Sequence, residues 1–262
     1  MIDPRVERAK SGDVEALEEV LESVAPAVRR FGVRMCKSPH DADDVLQDTL
    51  LAIATHLPEF EGRSSLTSWV FALTRSACAR RRRGMKNRPP VADDAVAERA
   101  DEAPTPEDRA ADRQLGDVLA RALESLPEEQ REAVLLRDVE GLSAPEAAEA
   151  IGIGEAALKS RLHRGRSTLR EALAPLVGRA PGCPDVAEQW SRKLEGDLSA
   201  VDCAAMEKHV ATCPACAKSC DLLKSALVAC RASAAADVPP EVQRRVKSAV
   251  RAWAAAIENR ST

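Results

Sequence analysis

The chain has 262 residues and a formal net charge of −4, and aromatic residues make up only 2% of it. This length accommodates two small domains and a third segment. The slightly acidic balance excludes a uniformly basic nucleic-acid coat, so any contact with nucleic acid must come from local clusters of basic residues. Because Ala, Leu, Glu and Arg dominate and Tyr is absent, we predict an all-α fold with little capacity to stack single-stranded bases.

No apolar run reaches the length of a membrane-spanning helix, and the first residues contain no apolar segment of the kind found in signal peptides. We therefore expect a cytoplasmic protein that makes no membrane contact. This expectation bears on the eight cysteines, because clustered cysteines in the cytosol more often bind metal than form permanent disulfides.

The first predicted domain, residues 6–85, consists of helices with regularly spaced apolar positions. The pattern predicts helices over residues 13–19 and 21–35. Pro26 falls inside the second stretch and has no backbone N–H to donate, so we expect a break or kink near Ala25.

A third helix is predicted from about Asp41 to His56, with a cap supplied from the stretch that begins at Ser38. Its apolar positions face a core, whereas its other side is acidic and polar. That side consists of Asp43, Asp44, Gln47 and Asp48. Ordinary solvation of a surface face would also account for these residues.

A fourth helix is predicted to begin at Ser64 or Ser65 and to end in the consecutive arginines 80–83. A basic helix end with Trp69 nearby can hold a nucleic-acid strand through phosphate contact and stacking, although Trp69 also fits a core position. Cys36 and Cys78 are isolated in the sequence and are interpreted as small core residues.

Residues 86–113 are rich in Pro, Ala, Asp and Glu and lack periodicity, which predicts a flexible acidic linker. A second helical domain is predicted over residues 114–176. Ser125 and Glu128 have the spacing of a capping box at the start of one of its helices.

The stretch from Leu142 to Leu173 has the pattern of a helix-turn-helix. Ser143 and Glu146 have capping-box spacing, glycines punctuate the turn, and a second helix begins near Glu155. This second helix has an apolar side and a basic side and is the candidate for the DNA major groove. Its basic residues are Lys159, Arg161, His163, Arg164, Arg166 and Arg170. A solvated helix face is the alternative interpretation.

Residues 10–176 resemble the two functional regions of an extracytoplasmic-function (ECF) RNA polymerase sigma factor. The resemblance rests on the motifs DADDVLQDTLLAI, FEGRSSLTSWVFALTRSACARRRR and SLPEEQREAVLLRDVEGLSAPEAAEAIGIGEAALKSRLHRGRSTLREAL, which occur in the family's order and separation. It implies a protein that is not an enzyme and whose partners are core RNA polymerase and promoter DNA.

The resemblance also implies roles for individual residues. Core polymerase would be bound by Asp44, Gln47 and Asp48. The promoter −10 element would be contacted by Trp69, Arg75, Arg80, Arg81 and Arg82. The −35 element would be contacted by Lys159, Ser160, Arg161, Arg164 and Arg166. Ser76 follows Arg75 where the family usually has Asn, which leaves the specificity for the −10 element open.

A cysteine-rich domain is predicted over residues 180–232. His209 and Cys213 are one helical turn apart, and Pro214 starts a new helix before Cys216. This H-x3-C-x2-C pattern is a tetrahedral metal half-site, with Cys183 as the natural fourth ligand. The full set of candidate metal ligands is Cys183, Cys203, His209, Cys213, Cys216, Cys220 and Cys230.

Two resemblances lead to different interpretations of this domain. The pattern is similar to the zinc-binding anti-sigma domain, which implies one structural zinc site and control by a separate anti-sigma partner. Six cysteines behind an ECF sigma factor also resemble the CorE-like sigma factors, whose cysteine-rich domain senses metal directly. Thiolates beyond the first four suit Cu(I), Cd(II) or Zn(II), and the resemblance implies copper as the leading effector, with zinc or cadmium as alternatives.

A final amphipathic helix is predicted over residues 238–258, with Val242, Val246, Val250 and Trp253 among its apolar positions. It either packs on the cysteine-rich domain or docks on the sigma-like domains and switches them. A DNA-binding repressor that never contacts polymerase is a further alternative for the whole chain. The acidic side of the third helix argues against that alternative, and co-purification with core polymerase separates the two.

Overall fold

The computed structural model of the chain describes residues 3–36, 38–85, 118–177, 183, 186–218, 221 and 238–258. Every regular element among these residues is a helix, which confirms the predicted all-α fold. The predicted linker, residues 86–113, lies outside the described residues. No helix in the described ranges is both long and apolar enough to cross a membrane.

The chain divides into two compact units. The first contains Met1–Glu98, Glu149–Gly152 and Ala234–Thr262, and the second contains Arg99–Ala148 and Ile153–Ser233. The first unit is built from α1 (Pro4–Lys10), α2 (Val14–Met35), α3 (Pro39–His56), α4 (Leu66–Met85) and α12 (Pro240–Glu258), with a 3-10 turn at Leu57–Glu59. The remaining helices are α5 (118–125), α6 (Glu128–Val134), a π-helical turn at Leu135–Val139, α7 (Ala144–Ile151), α8 (Glu155–Val177), α9 (Val186–Leu194), α10 (Ala200–Thr212) and α11 (214–218).

Short polar side chains begin the helices of the first unit. The Asp13 carboxylate accepts from the Ala16 N–H at 3.0 Å, which occupies one of the donors that a helix leaves unpaired at its start. The Ser38 hydroxyl accepts from the Asp41 N–H at 3.1 Å and confirms the predicted cap of α3.

Helix α2 is continuous across Pro26, so the predicted break near Ala25 is wrong. A proline inside a helix removes one backbone hydrogen bond and costs roughly 3 kcal/mol. The apolar positions before and after Pro26 are buried on the same side of the helix, and burying a large side chain contributes about 1.5–3 kcal/mol. Packing of this face therefore outweighs the local cost of the proline.

Helix α12 is part of the core of the first unit. Val242, Val246 and Val250 are buried in the same apolar cluster as side chains of α1, α2 and α3. Two ion pairs border this contact, Arg251 with Glu18 at 2.8 Å and Lys247 with Glu22 at 2.6 Å. Of the two predicted positions for this helix, the structure places it on the first helical domain, while the Trp253 side chain lies outside the described side chains.

Two predicted capping boxes of the second unit have opposite outcomes. Glu146 accepts from the Ser143 N–H at 2.9 Å while its own N–H donates to the Ser143 hydroxyl at 3.4 Å, which confirms the first box. The Ser125 hydroxyl instead donates to the Ala122 carbonyl at 2.8 Å. Helix α6 starts after Pro127 without a side-chain cap, so the second box is wrong.

The helix-turn-helix is formed by α7 and α8. Gly152 lies between them with a φ of 77°, a left-handed conformation that glycine adopts without strain. Helix α8 approaches α6 closely at Gly165, where a Cβ atom would lie 2.9 Å from Cγ2 of Val134. This close approach, together with the buried apolar side of α8, determines which side of α8 faces away from α6.

Candidate nucleic-acid interface and metal centre

The basic residues of α8 are not equally accessible. Ser160 and Arg164 are exposed and are bonded to each other, at 3.2 Å from the guanidinium to the hydroxyl. Arg161 is half-buried and paired with Glu129 at 3.0 Å. Among the predicted DNA contacts of α8, Ser160 and Arg164 are therefore the two that are exposed.

Arg166 is buried, although its position on the basic side predicted a DNA contact. Its side chain is 3% exposed and pairs with Asp138 at 2.6 Å and with Glu195 at 2.9 Å. It also donates to the Ser191 hydroxyl at 2.9 Å. Burial lowers the pKa of Arg166, but the two carboxylates more than offset this effect and the net pKa is raised. Arg166 is thus a charged structural residue here and cannot reach a phosphate.

Other basic residues of α8 also pair with the segment around α9. Lys159 donates to Asp197 at 2.6 Å, and this hydrogen bond raises the pKa of the ammonium group. His163 lies 3.5 Å from Glu188. We call Glu188, Glu195 and Asp197 the acidic clasp. The clasp therefore contacts three basic side chains, Lys159, His163 and Arg166, of the helix that is the candidate for the major groove.

A group of four potential metal ligands lies next to the clasp in the sequence. The ligand atoms of Cys183, His209, Cys213 and Cys216 all lie within 4.8 Å of one another. The Cys183 and Cys213 sulfurs are 3.6 Å apart, and His209 Nε2 is 3.3 Å from the Cys216 sulfur. Zinc–ligand bonds of about 2.0–2.3 Å in a tetrahedron require separations of roughly 3.3–3.8 Å between ligand atoms. The two distances given above lie within this range, and all four ligand atoms are close enough together to surround one metal ion.

The local fold explains this convergence. His209 is in the last turn of α10. Cys213 directly follows this helix, and its N–H still donates to the His209 carbonyl at 2.9 Å. Pro214 begins α11, which brings Cys216 back towards Cys213. The predicted helix junction is present, and the expected half-site is completed by Cys183.

The thiols of this group differ in acidity. The backbone N–H of Cys216, followed by the Cys183 thiol, lowers the pKa of Cys213. Burial, followed by the neighbouring Cys183 and Cys213 thiols, raises the pKa of Cys216 to about 12. Because thiolates rather than thiols bind metal, a metal ion must displace protons here, and its affinity must fall as the pH falls.

The other three candidate cysteine ligands lie elsewhere. The Cys203 sulfur is 3.7 Å from the Glu207 carboxylate and is not in the group of four. Cys220 and Cys230 lie outside the described residues. Their part in metal binding stays a prediction.

In the first unit, residues predicted to bind polymerase and DNA are bonded to each other. Asp48 is exposed, and Asp44 and Gln47 are half-buried on α3. Arg81 donates to Asp44 and, at 2.9 Å, to Asp41. Burial raises the pKa of Asp41, but hydrogen bonds from Arg81 and Ser38 outweigh it, so the net pKa is lowered.

The remaining candidate DNA contacts of α4 lie at different depths. Trp69 is half-buried, packs against the core and has its ring centroid 5.1 Å from that of Phe60. Arg75 and Arg82 are half-buried, whereas Arg80 is exposed. Trp69 therefore has the core contact that its spacing allowed, and Arg80 is the exposed one among the α4 arginines predicted to contact DNA.

The sequence analysis predicted neither the acidic clasp nor Asp138, which shares Arg166 with the clasp residue Glu195. These acids are 25 or more residues away from the bases they contact, beyond the reach of any helix spacing rule. The sequence did contain one indication of this contact: several acidic residues follow Cys183, a short distance after the basic helix α8.

Three family models match parts of the chain. Residues 20–88 match the family model for sigma-70 region 2, and residues 117–169 match that for sigma-70 region 4. Residues 183–217 match a zinc-finger family model.

Three curated relatives illustrate the similarity. SigE, an ECF sigma factor of Mycolicibacterium smegmatis, is 33% identical, and the match covers 63% of this chain and 65% of SigE. The sigma factor CarQ of Myxococcus xanthus is 34% identical, with 65% of this chain and 97% of CarQ covered. The ECF sigma factor SigF of Caulobacter vibrioides is 35% identical, with 63% and 90% covered. The chain belongs to the ECF family of RNA polymerase sigma factors.

Two solved structures are also similar. CnrH in complex with the cytosolic domain of CnrY is 26% identical, with a TM-score of 0.47, and 65% of this chain and 96% of that one are covered. RpoE of Bartonella quintana in complex with the anti-sigma factor NepR is 29% identical, with a TM-score of 0.46 and coverage of 62% and 97%.

Family membership makes this chain a transcription initiation factor rather than an enzyme, with RNA polymerase and promoter DNA as its partners.

Proposed function

We propose that this ECF sigma factor is regulated by a metal ion bound in its own cysteine-rich domain. The observation that supports the proposal is the pairing of Lys159 and Arg166, on the helix that reads DNA, with Asp197 and Glu195 of the acidic clasp. In this arrangement the cysteine-rich domain competes with the promoter −35 element for one surface.

The position of the metal group gives the ion control over this contact. Cys183 precedes α9, whereas the other ligands follow it on α10 and α11. A metal ion that joins Cys183 to His209 therefore fixes both ends of the segment that carries the clasp. A ligand shifts an equilibrium only by its difference in affinity for two states, so metal acts here if the clasped and released states hold the four ligands differently.

Copper is the proposed effector, because three thiols and one imidazole are ligands that suit a soft ion such as Cu(I). Cys203, Cys220 and Cys230 would supply further ligands in the second state. The closed group of four equally suits structural zinc, and this observation favours a second candidate: an ECF sigma factor with a permanent zinc site, controlled by an anti-sigma partner.

The other functional assignments are part of the same proposal. Residues 6–85 form the region that binds core polymerase through Asp44, Gln47 and Asp48, and the −10 element through α4. Residues 114–176 form the region that reads the −35 element. Residues 180–232 form the metal-binding domain.

Run-off transcription with purified core polymerase and metal-free protein tests the proposal. Cu(I), Cu(II), Zn(II) and Cd(II) are added in turn, and we expect one copper ion to change the transcript yield at least about tenfold, equivalent to about 1.4 kcal/mol. His209→Ala should abolish the response, whereas Lys208→Ala, an exposed neighbour on α10, should preserve it.

The same assay separates the two candidates. A response lost in Cys203→Ser supports additional ligands in a second state. Equal transcription with every ion, combined with one tightly bound zinc per chain, contradicts metal sensing and supports the structural zinc site.

A further inference from the structure

The first unit contains a second thiol pair that the metal proposal does not use. Cys36 directly follows α2 and Cys78 lies in α4. Their sulfurs are 4.0 Å apart although the two residues are 42 positions apart in sequence. Cys78 is fully buried, whereas Cys36 is partly exposed. The fold thus brings together one accessible and one inaccessible thiol.

We propose that Cys36 and Cys78 form a reversible regulatory disulfide in region 2. A disulfide needs an S–S distance of about 2.05 Å, so each sulfur moves inward by roughly 1 Å. The pair differs from the tail cysteines because the group of four potential metal ligands does not include it.

The surroundings of Cys36 favour attack on an oxidant. The hydrogen bond from Cys78 lowers the pKa of the Cys36 thiol and outweighs burial, and the charges of Arg81 and Arg82 lower it further against the opposing charge of Asp41. Thiolate character and exposure select the cysteine that is oxidised first. Cys36 has both properties, and Cys78 is placed to resolve the product.

The chemistry is balanced with hydrogen peroxide as the oxidant. The Cys36 thiolate attacks one peroxide oxygen and breaks the O–O bond, which gives a sulfenic acid and hydroxide. The Cys78 thiol then attacks the sulfenic sulfur, the S–O bond breaks, and the hydroxyl group leaves as water with the Cys78 proton. Two thiols lose two electrons and two protons in total, and peroxide becomes two waters; a dithiol reductant reverses the reaction.

The disulfide would act on the residues proposed to bind polymerase and DNA. Cys78 is one helical turn before Arg81, which bonds to Asp41 and Asp44 of α3. Cys36 is two residues before Ser38, the cap of α3. A covalent link here holds Arg81 on the α3 acids and away from other partners. This consequence depends on the proposed function of those residues, whereas formation of the disulfide does not.

The test uses the full chain loaded with Zn(II), which does not react with peroxide; the protein is treated with hydrogen peroxide and digested without reduction. We expect a peptide that joins Cys36 to Cys78 and has lost two hydrogen atoms, absent from Cys36→Ser and Cys78→Ala and restored to free thiols by dithiothreitol. Cys203→Ser, at a partly exposed tail cysteine outside the metal group, should retain it. Oxidation of tail cysteines without a joined peptide overturns the proposal, as does accumulation of Cys36 sulfinic acid.

Two further measurements complete the test. The oxidised wild type should unfold at least about 5 °C higher than the reduced form, since a cross-link over a long loop constrains the unfolded chain. Peroxide should reduce transcription at least about tenfold in the wild type and not in Cys36→Ser. Because Cys36 is partly exposed, that variant keeps the test valid if Cys78→Ala does not fold. Equal inhibition of both proteins overturns the regulatory role.

Discussion

The Arg166 guanidinium is held between carboxylates from two different segments. Asp138 precedes the helix-turn-helix and Glu195 follows α9, and both are nearly as buried as Arg166 itself. A buried charge of this kind is tolerated only because it is paired and hydrogen-bonded. One basic position of α8 is thus buried, whereas Arg164 two residues earlier is exposed.

Replacement of Arg166 by Met is expected to destabilise the second unit by about 3–5 kcal/mol, because it removes the buried counter-charge of Asp138 and leaves Glu195 with Arg137, at 3.5 Å, in place of two cations. Urea unfolding measures the loss. Arg164→Met, at an exposed position of the same helix, should change stability by less than about 0.5 kcal/mol. Similar values for both variants would contradict the burial of the ion pair.

Asp41 makes the stability of region 2 dependent on pH. Its folded-state pKa lies below the ordinary value, so its ionised form stabilises the fold above the unfolded pKa, and this contribution is lost as the pH falls through the lowered value. Asp41→Asn should cost about 1–2 kcal/mol at neutral pH and nothing in strong acid. Urea unfolding over a pH series tests this, with Asp48→Asn on the same helix as the control; a penalty that stays constant with pH would contradict it.

At the scale of the helix, the features that were predicted correctly have local causes, although the capping box expected at Ser125 shows that local spacing alone is not sufficient. The capping box at Ser143, the α10–α11 junction at Pro214 and the amphipathic faces were all predictable because their partners lie within one turn. Pro26 misled because a local cost was offset by packing along the rest of α2. The contact of α9 with α8 could not be predicted, because opposite charges in two separate segments do not indicate which residues pair.

The acidic clasp leads to a prediction about α8. The double variant Glu195→Gln and Asp197→Asn should raise the affinity of the full chain for −35 element DNA at least about tenfold, because Lys159 is released for phosphate contact. Fluorescence anisotropy at fixed salt measures this affinity.

The matched control for this variant is Asp202→Asn with Glu207→Gln. Both residues are exposed on α10, and none of their described bonds reaches α8, so this variant removes the same charge from the same domain. If both double variants bind DNA equally, the gain is a general charge effect and the clasp does not mask α8.

At the scale of the whole chain, the arrangement of helices does not follow their order in the sequence. Helix α12 joins the core of the first unit although the metal-binding segment lies between it and the rest of that unit. The apolar pattern predicted an amphipathic helix over residues 238–258 and left its partner open, because several domains of one chain offer apolar surfaces that such a face can cover.

Val250 tests the contribution of α12. It is fully buried in the core of the first unit, and Val250→Ala should destabilise that unit by about 2 kcal/mol through lost burial and a residual cavity. Ser248→Ala, at an exposed position of α12, should have little effect. Thermal unfolding of the full chain measures both, and equal melting temperatures would indicate that α12 leaves the unit in solution.

The position of α12 also has a consequence for synthesis on the ribosome. About 170 residues separate the end of α4 from the end of α12, which corresponds to roughly 10–35 s of translation. Throughout that interval the nascent first unit has its first four helices but lacks the part of its core that α12 supplies. The segment that carries the acidic clasp emerges before α12 does, so a chain completes its first unit only after it has made that segment.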